Sequence, residues 1–234
     1  MAHPILWVAF AVAGSLAQLF RNSAQASLTA RIGTLGATQT RFVFGLPFAV
    51  LFLALALHLT GEPLPGITPA ALAWTLAGAL CQIGGTAMML LVMGQRAFGV
   101  AYAYIKTEPV IVALLGVALL GDRLPALAWA AVAVVTVGVV LASVRPQDMG
   151  ALLGEGRMIA AGIVSGAFFG LSGIAFRGGI WALEDGGFVI RSLTVLAISL
   201  AMQTTILGAW LALRDRTAFA GSVREWRSSL LAGL

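Results

Sequence analysis

Gly99-Val-Ala-Tyr-Ala-Tyr-Ile-Lys-Thr-Glu-Pro-Val-Ile-Val-Ala-Leu-Leu-Gly-Val-Ala-Leu-Leu-Gly121 reads as an apolar helix with an ammonium and a carboxylate, Lys106 and Glu108, set near its middle. About 20 such residues carry a helix across the hydrocarbon core of a bilayer. Charges held at that depth are costly, and by default they mark the path of a substrate or ion.

The rest of the chain agrees with a membrane setting. Sixty per cent of its 234 residues are hydrophobic and only 10% are charged, where soluble domains carry about 25%. The net charge of +5 comes almost wholly from arginine, with Lys106 the one lysine. Most arginines flank apolar runs as interfacial anchors do, so the basic balance implies a lipid bilayer and no nucleic-acid surface. The single cysteine, Cys81, excludes an intramolecular disulfide, and His3 and His58 lie far apart in sequence. No metal-ligand cluster and no cofactor motif is visible.

Apolar length places spans near 4–20, 41–59, 69–93, 99–121, 125–144, 158–180 and 188–213, with the start of an eighth near Trp226. Gly121-Asp-Arg-Leu-Pro125 is a tight turn, its glycine ending one helix and its proline opening the next. Gly61-Glu-Pro-Leu-Pro-Gly66 is another. The widest break, around Arg145-Pro-Gln-Asp-Met-Gly150, divides the chain into 1–146 and 157–234 joined by a loop at 147–156. Ala24-Gln25-Ala26 has the small-x-small form of a signal-peptide cleavage site. No Lys or Arg precedes the first apolar run, and its polar stripe is foreign to a signal peptide.

The halves share a pattern. Gly14, Phe20 and Arg21 recur as Gly170, Phe176 and Arg177 at an offset of 156, and Arg41 and Leu46 as Arg191 and Leu196 at 150. Five spans separate the copies, so the second would enter from the opposite side, the inverted-repeat plan of many secondary transporters. Gly14 with Arg21, then Arg41-Phe42 opening the second span, resembles the start of EamA-type drug/metabolite transporters. Thr107-Glu108-Pro109 through Gly121-Asp122-Arg123-Leu124 resembles the fourth and fifth spans of that family. The likeness covers 5–144 well and 158–213 more loosely; Ala13 stands where the family usually has Trp, and Asp122 where it has Glu. It implies an all-α, multi-pass membrane protein of two inverted five-helix repeats, a ten-span fold. Seven spans and the start of an eighth are present here, the second repeat being incomplete. It also implies a bacterial inner-membrane carrier of a small organic metabolite or drug, amino-acid-like or anionic compounds included.

Several residues could carry that function. Lys106 shares a face with Tyr102 and Pro109, and Glu108 shares one with Tyr104. Either charge could face a cavity, Lys106 attracting an anionic group, with Tyr102 and Tyr104 giving aromatic and hydroxyl contacts. The alternative is structural, with Glu108 locking helices together and Lys106 snorkelling to an interface. Gly14, Gln18, Arg21 and Gln25 make one face of the first span polar, as a cavity wall or a hydrogen-bond seam. Trp74, Gly78, Gln82, Gly85 and Met89 form a comparable stripe, with Gln82 as the cavity residue and the glycines as packing positions. Gly162, Gly166 and Gly170, four apart, suit close helix contact.

Gly170-Leu-Ser-Gly173 matches the G-x-S-G pattern of intramembrane serine proteases, but both histidines precede Ser172. No nucleophile–base set is present, so a catalytic role is not expected. A non-transporting membrane subunit or an inactive fragment is the other class, and the oligomeric state is open. Alternate connections are unequal in charge, ten arginines on one side against three on the other. The positive-inside rule then places the amino terminus outside, whereas full-length members of the resembled family have both termini in the cytoplasm.

Overall fold

The computed structural model describes residues 4–95, 108–121, 123–143 and 156–225. They form seven helices: α1 Pro4–Thr60, α2 Pro69–Gln95, α3 Glu108–Leu120, α4 Ala126–Ser143, α5 Gly156–Trp181, α6 Phe188–Arg214 and α7 Arg216–Arg224. Runs rich in Ala, Leu and Val satisfy their own backbone groups only as helices where water is scarce. Four of these helices, α1, α2, α5 and α6, are long and apolar enough to cross a membrane, and α3 and α4 are shorter apolar helices. Among the described residues there is no strand, only an isolated bridge between Gly66 and Glu184. The expected spans 69–93, 125–144, 158–180 and 188–213 match α2, α4, α5 and α6 to within two residues. Residues 99–107 and the segment after Trp226 lie outside the described residues.

The first two spans depart from expectation. Residues 21–40, read as a loop, continue both helices, so limbs 4–32 and 34–60 meet at Gly33. The polar content that suggested a loop instead lies inside the hairpin. Asn22, Gln25, Thr38, Gln39 and Thr40 are all buried. Gln25 Nε2 donates to the Ala37 carbonyl at 2.8 Å, tying one limb to the other. Thr38 and Thr40 donate to carbonyls within their own limb.

Gly33 has φ 73° and ψ 167°, a conformation essentially closed to side chains. A Cβ there would meet no atom within 4 Å, so any penalty is one of backbone alone. Gly33→Ala is expected to destabilise the hairpin by about 1–3 kcal/mol, lowering the thermal midpoint of the purified protein. An unchanged midpoint would mean that this backbone geometry is not required.

Glycines set the helix spacing elsewhere. On α2, a Cβ at Gly78 would fall 2.5 Å from the Phe176 ring, and on α5 a Cβ at Gly178 would fall 2.8 Å from Trp74. Each helix thus receives an aromatic ring of the other at a glycine. Ser165 Oγ donates to the Gly85 carbonyl across the same seam at 2.7 Å. A Cβ at Gly170 would lie 3.0 Å from Ile111, so α5 approaches α3 closely there. The second limb of α1 packs on α6 through Phe42, Leu207 and Leu211, and Gln39 Nε2 donates to the Thr204 carbonyl at 3.0 Å.

The two ends of the bundle differ. At one end the loops after α1 and α5 are joined: Gly66 and Glu184 exchange backbone hydrogen bonds of 2.8 and 3.0 Å. Thr68 Oγ1 donates to the Ala182 carbonyl, and the Glu62 carboxylate accepts from the Gly187 amide. At the other end α7 packs over the hairpin apex. A Cβ at Gly221 would meet Ile32 at 2.8 Å, and Arg31 pairs with Glu225 at 3.0 Å. Asp215 caps α7, accepting from the Ala218 amide at 3.0 Å and the Thr217 hydroxyl at 2.6 Å.

The Thr217 hydroxyl bond, then the Ala218 amide bond, hold the Asp215 carboxyl below its ordinary value of 3.8. A depressed carboxylate adds stability that is present above the unfolded value and lost as pH falls through the folded one. Protection of the α7 amides from hydrogen exchange should therefore decline below about pH 4. Asp215→Asn should remove that acid-dependent step; a step of the same size in the variant would assign it to another group.

Candidate functional site

Between α1, α2, α3 and α5 lies a cavity of about 220 Å³ whose walls carry the charges that an apolar bundle is expected to exclude. The first limb of α1 supplies Gln18 and Asn22, and the second supplies Arg41. Gln82 comes from α2, Glu108 from the first turn of α3, and Ser172 from α5. Met89, Phe169, Gly173 and Phe176 complete the lining. A second cavity of about 140 Å³ holds Arg21, Phe48, Phe52 and Leu196, and it shares Arg41 and Gln82 with the first. Arg41 and Gln82 therefore stand between two hollows.

The hairpin at Gly33 explains how Arg21 and Arg41 come together. Folding the limbs back on one another sets each first-limb residue beside a second-limb residue four positions nearer the apex, as the Gln25–Ala37 bond records, and the same offset brings Arg21 level with Arg41. Arg21 and Glu108 both act on the Arg41 charge, the first repelling and the second attracting it. Glu108 lies directly before Pro109 in the first described turn of α3. The Gln82 amide is held from behind: Gln203 Nε2, on α6 and fully buried, donates to Gln82 Oε1 at 2.8 Å.

Of the residues expected from sequence, the structure brings Gln18, Gln82 and Glu108 to one cavity and Arg21 to its neighbour. Lys106, Tyr102 and Tyr104 lie outside the described residues. The polar face of the first span proves to be two things at different heights. Gln18 and Arg21 line hollows, whereas Gln25 belongs to a hydrogen-bond seam, and a Cβ added at Gly14 would meet nothing within 4 Å. In the second stripe Gly78 and Gly85 are packing positions, as anticipated. The Ser172 hydroxyl donates to the Phe169 carbonyl at 2.8 Å within its own helix.

Two functional candidates escaped the sequence. Arg41 entered as a repeat position, a loop charge and part of the family resemblance, but not as a cavity residue, and its signal was its place eight residues past the glycine apex. Gln203 gave a weaker one, a lone amide in the apolar run of α6. The repeat-related arginines differ in their surroundings: Arg21 and Arg41 share a cavity, while the Arg177 guanidinium stacks over Trp181 at 4.4 Å. No protein-family model, curated protein or solved structure matches this chain.

Proposed function

We propose that the chain is an integral membrane carrier of the EamA drug/metabolite type, moving a small organic molecule through the cavity between α1, α2, α3 and α5. The observation that carries this reading is the meeting of Arg21, Arg41 and Glu108 around two neighbouring hollows among apolar helices, most of them of membrane length. Charges set among apolar helices fit a ligand that uses them. Gln18, Asn22 and Gln82 supply neutral hydrogen bonds, and Phe169 and Phe176 an apolar wall, the usual mixture of a small-molecule site. The offset of five spans between like segments supports alternating access by rocking of one repeat against the other.

Purified protein reconstituted into vesicles, and challenged with a panel of labelled organic acids, amino acids and cationic drugs, tests the proposal. Uptake of at least one class above empty vesicles is expected, and Glu108→Gln should reduce it. A protein that is folded by circular dichroism yet transports nothing from the panel, and whose thermal midpoint none of the compounds shifts, would sink the carrier reading.

A further inference from the structure

We propose that α7 and the arginines beside it bind the anionic headgroups of one leaflet and so fix the hairpin-apex end of the bundle to the cytoplasmic face. The proposal rests on the membrane setting alone and not on any transported substrate. Inward, α7 is spent on the protein: Ala218 and Ser222 are buried, and Gly221 sits against Ile32 of α1. Outward it leaves two kinds of group. Phe219 and Val223, one turn apart, are 37% and 50% exposed, and Leu213 just before them is 80% exposed. Arg214, Arg216 and Arg224 flank these side chains and are themselves exposed. Apolar side chains bordered by guanidinium groups at the end of a membrane-length helix match the boundary between acyl chains and phosphate.

Charge complementarity selects the leaflet. Among the described residues the α7 end carries Arg31, Arg157, Arg214, Arg216 and Arg224 against Asp215 and Glu225. The opposite end has three carboxylates, Glu62, Glu184 and Asp185, against Arg123, Arg177 and Arg191. The bundle therefore has a cationic end and a balanced one. The cytoplasmic leaflet is the anionic face, and each arginine near it adds an attraction of about fivefold in binding. The break at Asp215, with φ −147° and ψ 77°, ends α6 and lets α7 leave its axis. Because α1 begins at the opposite end, this orientation places the amino terminus outside.

The full chain with Cys81→Ala and a new cysteine at exposed Ala220 tests the orientation. An impermeant maleimide should label A220C in inside-out vesicles and leave it unlabelled in intact cells; labelling from intact cells overturns the orientation. Amide exchange over 216–224 in nanodiscs of phosphatidylcholine, with or without phosphatidylglycerol, tests the lipid contact. The anionic lipid should slow exchange about tenfold or more at low salt. High salt, or the triple variant Arg214→Gln, Arg216→Gln, Arg224→Gln, should remove that slowing. Equal exchange in both nanodiscs refutes the lipid contact. So does protection that follows protein concentration and ignores lipid charge, which would identify a second copy as the occupant. A failure of transport in the vesicle panel would leave both measurements unaffected.

Discussion

Arg41→Gln is expected to abolish most vesicle uptake, by about tenfold or more. Losing a charged hydrogen-bond donor to a ligand removes about 1.5–3 kcal/mol, and each 1.4 kcal/mol is about a factor of ten. Stability should hold, because burial and repulsion by Arg21 oppose the Arg41 charge more than Glu108 favours it. The thermal midpoint of the variant is therefore expected at or above that of the parent. A midpoint that falls along with the uptake would show that the charge serves packing.

Gly178→Leu is expected to be the most damaging apolar change. Its first side-chain carbon would fall 2.8 Å from the Trp74 ring, and three further carbons must follow into a seam where α2 and α5 are already in contact. Overpacking of this kind costs about 1–3 kcal/mol where neighbours can shift and more where they cannot. Trp74 is 42% exposed and can swing outward, so Trp74→Ala on the Gly178→Leu background should restore part of the loss. Gly173→Ala is the control on the same helix, since no atom lies within 4 Å of its added carbon. It should melt at or slightly above the parent temperature, alanine being the better helix former. If the two single variants melt alike, the glycine seam does not set the helix spacing.

Much of this was legible in the chain, because a bilayer leaves few options. Uninterrupted apolar stretches such as 188–213 become helices of nearly the expected length, and Gly121 adopts the positive φ of 69° that its place before a turn implies. Residues 21–40 misled for a physical reason. Polar side chains usually mark water-facing loops, but Gln25, Thr38 and Thr40 bond to helix carbonyls inside the fold. Polarity alone does not distinguish a wet loop from an internal seam. The amphipathic α7 was hidden by its length: nine residues with three arginines just before and within it read as connection. Gln18, Arg21, Gln82 and Glu108 were visible as polar intruders on oily helices. Their meeting with Arg41 needed the third dimension, since nothing in the spacing of 21 and 41 announces a hairpin turning at one glycine.

The joined loops at the Glu184 end make the two tips of the bundle unlike. Four hydrogen bonds there, Gly66 with Glu184 in both directions, Thr68 with Ala182 and Gly187 with Glu62, clasp the two halves of the chain at one tip. The opposite tip is tied as well, by Gly221 packed on Ile32 and by the Arg31–Glu225 ion pair. Parting the clasped tip means breaking all four bonds, each worth about 0.5–1.5 kcal/mol net, whereas a surface ion pair contributes about 0–1 kcal/mol. Added salt therefore loosens the α7 tip and leaves the clasp as it is.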